Sequence, residues 1–592
     1  MRPLSTIRLL VSIAARCGRY VRTARVSACS GRWLVITRGA CSIVLAAAAG
    51  CTGPVVRSQN ETLMLTEVQS QTPLVGAWAH PYGMEYVKVE GVSLATGLDG
   101  TGEDPAPSPQ RAALLAEMQR RQVGSPSRVL ASPDTALVLV RGYLRPGMQK
   151  GDRFDVEVRV PSRSDTESLR GGWLLSTRMT ELSVLGHQIR SGHLMASAEG
   201  AVLVDPVAKS DTDRPLLTRG RVLEGAVTVR SRSLGLSIDT EDQSVRDSQE
   251  IGAAINRRFH TRIGGQRRGV ATPKTDEFIE LRLHPRYKDN IGRYMRVVRN
   301  IAIRETPSEH QQRLELLGQQ LSDPFTASTA AVRLEAIGNE DAVAVLEDTI
   351  GAEDPEVRFY AAEALAYLDK TEAVEPLARA ARDEPAFRLN ALAAISAMDD
   401  AIAHDALQDL LHVKSAETRY GAFRALSAMR STDPLIRSED LGGPFSYHVL
   451  DTKGPPMIHV TRSHRAEIVL FGRDQKIRLP LVADAGRRIL VNGLKGERIT
   501  VSRFEPGKED EQRVVVNKVD DLIRAIVELG GTYPDVVQAL VEAKAVGALE
   551  GQLHVDALPE SGRRPHRTAE AEPVPSTFFS RLANPLPSLF GR

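Results

Sequence analysis

Two glycine-rich turns hold most of the residues whose types and spacing could do chemistry. The first, Asp99-Gly100-Thr101-Gly102-Glu103-Asp104, gathers three carboxylates and a hydroxyl around two glycines, a composition that could surround a hard cation such as calcium. Its alternation does not fit a twelve-residue calcium loop, so the expectation is a turn after a strand, with glycines at backbone angles that a Cβ would strain. The second, Ser168-Leu169-Arg170-Gly171-Gly172, could seat an anion on backbone N–H groups beside a guanidinium. The plainer reading is a structural turn with Arg170 in an ion pair. His404 and His412 could stand on adjacent turns of one helix, but no third ligand accompanies them, and they are expected at the surface. There is no Gly-x-Ser-x-Gly elbow, no His-Glu-x-x-His and no phosphate loop ending in Gly-Lys-Ser/Thr. No catalytic residue, metal site or cofactor is therefore expected.

The cysteines report on compartment. All four, Cys17, Cys29, Cys41 and Cys51, lie within the first 51 residues. Arg32 and Arg38 precede the apolar run Cys41 to Gly50, and Cys51 follows directly. A charged region, a short apolar run and small residues before a cleavage point make residues 1–50 a secretory signal, and the run is too short to span a bilayer. Ala48-Ala49-Gly50-Cys51 is similar to a bacterial lipobox, which predicts lipidation of Cys51. Beyond it no thiol remains for catalysis, metal binding or an internal disulfide.

Charge follows the same division. The first 50 residues hold eight Arg and no Lys, Asp or Glu, so without them the formal charge falls from +2 to −6. A chain of that sign, with only 5% aromatic residues, has no general means of binding nucleic acid. Arg257, Arg258, Arg262, Arg267 and Arg268 read as a solvated hairpin tip.

The elements that position the turns come in blocks. Residues 51–84 are polar and aperiodic and read as a tether. From 85 to 307 strands dominate. Phe154 to Val160 alternates strictly, as a half-buried strand does, and helices are expected over Gln110–Arg121 and Ser244–Phe259, giving an α+β region. Residues 308–435 repeat. Ala327, Arg358, Arg388 and Arg419 are equivalent positions, and offsets of three, seven and ten carry Ala330, Ala361, Ala391, Ala422; Leu334, Leu365, Ile395, Leu426; and Ile337, Leu368, Met398, Met429. Those offsets share one helix face, and two helices in about thirty residues make a HEAT-like α-solenoid. The array is expected to fold as its own unit. Strands return in 440–558, with Ala466–Phe471 and Lys476–Leu479 the clearest, then helices Val519–Leu529 and Pro534–Ala543 and a last strand Gln552–Val555. Residues 561–592 are rich in Pro and Arg and read as a disordered tail.

The two turns, Ala253-Ala254-Ile255-Asn256-x-x-Phe259, Tyr287-Lys288-Asp289-Asn290 and the Asp520–Gly530 helix follow one another in an order that resembles the bacterial flagellar P-ring protein family. The resemblance covers Val89–Ile303 and Thr461–Val555, with the repeats as an insertion that the family normally lacks. It implies a non-enzymatic, exported subunit that forms a homo-oligomeric ring around the flagellar rod at the peptidoglycan, beside the outer L-ring, with Gly97, Gly100, Gly102, Ser168, Arg170, Gly171 and Gly172 as structural signature positions. Some family members carry a disulfide, which this chain cannot form internally. The repeats imply a further protein partner. A lipid-anchored envelope scaffold that reuses the ring fold away from flagella is the other reading.

Overall fold

A computed structural model describes residues 72–559 apart from breaks at 186–187, 207, 209–212, 264, 443–444 and 506, together with Arg563. The signal segment, Cys51 and the rest of the tail lie outside the described residues.

The strand-rich region contains a closed barrel. Strands Val87–Thr96, Thr135–Leu144, Arg153–Arg159, Trp173–Leu185, Gln188–Ala201 and Arg219–Thr228 form one antiparallel sheet, and Arg153–Arg159 pairs with both Thr135–Leu144 and Arg219–Thr228, which joins the ends. Closure removes the unpaired edges that an open sheet would present. The alternation read from the sequence is the pleat itself: Phe154, Val156 and Val158 are buried inside, between exposed Arg153, Glu157 and Arg159.

Beside the barrel, strands Ala79–Tyr82, Leu234–Ile238, Phe278–Leu281 and Ala271–Pro273 form a second antiparallel sheet, packed with helices Val245–Arg258 and Ile291–Arg299. Ser244 and Asn290 cap those helices by accepting from the N–H groups of Asp247 and Arg293. This sheet corrects the tether at its C-terminal end. Residues 75–82 form a helical turn and an edge strand, because Val75 and Ala79 bury fully against Leu236, Ile238 and neighbours. The basic hairpin, His260–Ile263 with Gln266–Gly269, forms as read. Arg258 instead turns inward, donating to the Glu335 carbonyl at 3.0 Å.

Eight helices from Pro307–Leu321 to Ala416–Met429 make the array. Each aligned Ala and each aligned Leu or Ile at offset seven is completely buried. The aligned arginines close the repeat in a common way: Arg388 donates to the Ala381 carbonyl, Arg419 to Leu411 and Arg358 to Ala352, satisfying carbonyls left free where the preceding second helix ends. Pro385 lies in the turn before the helix that begins at Arg388; Phe387 in that turn stacks on Phe359 with ring centroids 4.3 Å apart.

The C-terminal region has a mixed sheet, in the order Ser446–Leu450, Glu467–Phe471, Met457–Val460, Gln552–Val555, and a four-stranded meander from Leu481 to Val516 covered by helices Val519–Glu528 and Tyr533–Ala545. Lys476 to Leu479 makes only single bridges, to Lys518 and Leu549, not the strand expected.

The array does not stand apart. Its inner helices share one continuous core with the second sheet and with Leu450, Met457, Val469 and Phe471 of the C-terminal sheet. The independent unit read from periodicity is thus corrected: stacking accounts for one face of the inner helices, and the flanking region buries the other. No helix among the described residues is long and apolar enough to cross a membrane.

Candidate functional site

The two signature turns, 77 residues apart in sequence at Thr96 and Trp173, meet in space where Val87–Thr96 ends beside the start of Trp173–Leu185. Gly97, Gly100 and Gly171 have φ of +77°, +87° and +76°, the left-handed region where a side chain would be strained. Gly102 and Gly172 are needed for close approach instead. A Cβ on Gly102 would lie 2.1 Å from the Thr135 carbonyl oxygen, and one on Gly172 would lie 2.8 Å from Leu98 Cδ2. Thr101 Oγ1 sits 2.8 Å from the Leu98 carbonyl and 2.9 Å from the Ser168 carbonyl, and Glu167 N–H donates to the Thr101 carbonyl at 2.9 Å. Ser168 Oγ accepts from Arg170 N–H. The calcium-like acids diverge. Asp104 pairs with Arg111, Glu103 accepts from Asp165 N–H, and Asp99 pairs with Arg488 at 2.6 Å.

Arg170 corrects the expected ion pair. Its guanidinium donates to the carbonyls of Ala208 at 2.9 Å and Asp205 at 3.4 Å, and burial lowers its pKa. The Asp205 carboxylate pairs instead with Arg462 of the C-terminal region at 2.8 Å. That region docks on the barrel through further contacts of the same kind. Arg487 donates to the Leu98 carbonyl at 3.1 Å, and His464 N–H donates to Asp155 Oδ2 at 2.6 Å while Asp155 Oδ1 accepts from Glu224 N–H. Between the turns and the C-terminal region lies a cleft of about 650 Å³, lined by Thr101, Ser168, Arg170, Arg214, Asp484 and Arg487 among others. It holds no nucleophile paired with a base. Among the described residues no group of His, Cys, Asp and Glu is placed to hold a metal.

A second constellation, missed in the sequence, joins the array to the strand-rich region. Arg293 is buried between Glu335 and Glu363 of two successive repeats, each at 2.6 Å. Tyr287 donates to Glu335 at 2.6 Å and stacks on Tyr367, centroids 4.9 Å apart, while Asn290 Nδ2 donates to the Tyr367 hydroxyl at 3.1 Å. Burial disfavours the Arg293 charge, but the two carboxylates outweigh it and hold its pKa well above the ordinary value. Burial raises the Glu363 pKa against the pull of Arg293. At the other end of the array Tyr420 and Arg424 reach Glu467 at 2.7 and 3.1 Å, and His459 stacks on Tyr420 at 3.5 Å. Burial pushes the His459 pKa down to about 3. The available signal was a lone Glu363 in an otherwise apolar run, Ala361-Ala362-Glu363-Ala364-Leu365-Ala366. A charge in such a run needs a buried partner. The histidines part company: His404 Nε2 contacts Asp433 at 2.5 Å and is mostly buried rather than at the surface, while exposed His412 accepts from Lys453 N–H.

Residues 78–313, which span the barrel, the second sheet and both signature turns, match the family model described as flagellar P-ring protein. Over that stretch the chain is similar to P-ring proteins. Residues 314–396 match HEAT repeats, a stretch that contains Glu335 and Glu363. Among curated proteins, the flagellar P-ring protein of Photorhabdus laumondii is 29% identical over 225 residues, 36% of this chain and 56% of the relative. That of Methylobacillus flagellatus is 27% identical over 34% of this chain and 53% of the relative. One from Escherichia coli is 26% identical over 42% and 66%. The chain thus spans roughly half to two thirds of the length of these P-ring relatives. Arg293 lies inside the P-ring match and its two carboxylate partners inside the repeat match, so the buried triad joins the two.

Proposed function

We propose that this protein is a structural subunit of a flagellar P-ring, assembling side by side around the rod at the peptidoglycan layer and acting as a bushing without catalysis. The match of residues 78–313 to the P-ring family carries this reading. The closed barrel and its interlocked turns support it, because a ring that bears a rotating rod needs subunits whose shape does not yield. Lateral contacts would come from the 85–307 and 461–555 portions. The rod, the outer L-ring and peptidoglycan would be the neighbours, with a protein partner on the repeats. Export to the periplasm and acylation of Cys51 belong to the same reading. Cys51→Ala should move the protein from a detergent-requiring to a soluble fraction.

A clean deletion tests the whole. Loss of swimming, with basal bodies arrested at the rod, is expected, and purified protein should self-associate laterally. The fused repeat array favours one other reading, a lipid-anchored envelope scaffold away from flagella. Normal flagella and motility in the deletion would select it.

A further inference from the structure

We propose that the cleft between the signature turns and the C-terminal region binds a small hydrophilic ligand through an anionic group, carboxylate or phosphate, seated among Arg170, Arg214 and Arg487. All three line the cleft, whose volume of about 650 Å³ falls in the range of small-molecule sites, about 300–1,000 Å³. They come from three separate places. Arg170 belongs to the second signature turn, and Arg214 opens the helical turn Arg214–Leu217 that leads into barrel strand Arg219–Thr228. Arg487 lies in the turn between strands Leu481–Ala485 and Ile489–Gly493.

The three guanidiniums are held in place without being neutralised. Each is tethered through one terminal nitrogen to backbone carbonyls. Arg170 Nη2 donates to those of Ala208 and Asp205, Arg214 Nη2 to that of Ser164 at 2.9 Å, and Arg487 Nη1 to that of Leu98 at 3.1 Å. Among the described residues the other two nitrogens of each have no partner, and none of the three forms an ion pair. Their neighbours in the same seam behave otherwise: Arg462 pairs with Asp205 and Arg488 with Asp99. Burial chiefly lowers the Arg170 pKa, and the Arg487 charge adds to it against the pull of Glu542 and Asp484, so the two cations act on one another across the cleft. A planar guanidinium with free N–H groups matches a carboxylate or phosphate, and an anion between these cations relieves their repulsion. Asp165, Glu167 and Asp484 line the same cleft. They leave the arginines unpaired and can accept from hydroxyl or amino groups elsewhere on the ligand. An acidic sugar, a sugar phosphate and a short peptide with a free C-terminus all carry both features. This proposal does not depend on the ring reading.

Calorimetric titration of the purified full-length chain tests it, with galacturonate, glucose 6-phosphate and glycylglycine as probes and neutral glucose as control. At least one of the three should bind and glucose should not; which one binds separates the sugar acid, the phosphate and the peptide end as sources. Arg214→Gln and Arg487→Gln, both at exposed positions, should each weaken that binding about ten-fold or more with the unfolding midpoint of the free protein unchanged. Arg246→Gln, exposed on the helix Val245–Arg258 and outside the cleft, should leave it unaltered. No binding of any probe at about 10 mM, beyond the millimolar range of weak affinities, would overturn the proposal. So would equal losses in all three variants, which would reveal a general attraction of anions to arginine. As an independent readout, a bound probe spans the barrel and C-terminal sides of the cleft, so it should slow hydrogen exchange of residues 481–493 several-fold. Unchanged exchange there at saturation would also overturn the site.

Discussion

The C-terminal region meets the barrel and the repeat array meets the second sheet through the same chemistry, arginine on carboxylate, yet the two seams differ in kind. Asp99 and Arg488 are 34% and 43% exposed, whereas Arg293 and Glu335 are 3% and 0% exposed. An exposed pair contributes about 0–1 kcal/mol and weakens with salt. Removing one partner of a buried pair costs about 3–5 kcal/mol, because the remaining charge is stranded without water. The Asp99–Arg488 pair therefore adds little to the barrel seam, whereas the buried Arg293 cluster is part of the fold.

The most severe way to break the comparison is to remove the array. Deleting 322–433 with a flexible join should abolish a cooperative transition for the second sheet and the 446–471 strands, whose core it completes, while the barrel, which has its own core, keeps its protection in hydrogen exchange. A deletion protein that unfolds as cooperatively as the parent would restore the array to an independent unit.

Next in size, Arg293→Met should lower stability by about 3–5 kcal/mol in denaturant titration. Adding Glu335→Gln and Glu363→Gln should recover part of that loss, since fewer charges are then buried alone. A loss below about 1 kcal/mol for Arg293→Met would mean that the seam is hydrated.

The other end of the array predicts a pH dependence. His459 is held neutral, with a pKa pushed down to about 3 by burial, against about 6.5 in the unfolded chain. Its unfolded form binds the extra proton, so this residue makes stability fall as pH drops below about 6.5, by up to about 1.4 kcal/mol per pH unit. Between pH 7 and pH 5 that amounts to about 2 kcal/mol. His459→Asn should show a correspondingly shallower decline, and identical slopes would sink the assignment.

The smallest effect belongs to the exposed seam. Arg488→Ala should change stability by at most about 1 kcal/mol, and the difference from the parent should vanish by about 0.5 M salt. A larger, salt-insensitive loss would make this seam as much a part of the core as the other.

Much of the local structure was legible because it rests on near neighbours. The repeat faces follow from offsets of three and seven, which need only helical geometry, and every aligned Ala, Leu and Ile at those offsets is buried. The alternation of Phe154 to Arg159 and the glycines of the two turns are local statements of the same kind. Misreadings arose where the partner is distant. Residues 75–82 look like tether until Leu236 and Ile238 stand beside them, and Arg170 could not be known to choose carbonyls near residue 205 over a carboxylate.

What the sequence determined by itself was the repeat faces, the alternating strand at Phe154–Val160 and the order of motifs that makes residues 78–313 similar to P-ring proteins, because periodicity and backbone permission act over a few residues. Tertiary structure alone decided that the barrel closes, that Arg293 finds Glu335 and Glu363, and that the array shares a core with its flanks. Each of those depends on burial of both partners from water at once, and desolvation is a property of the assembled fold.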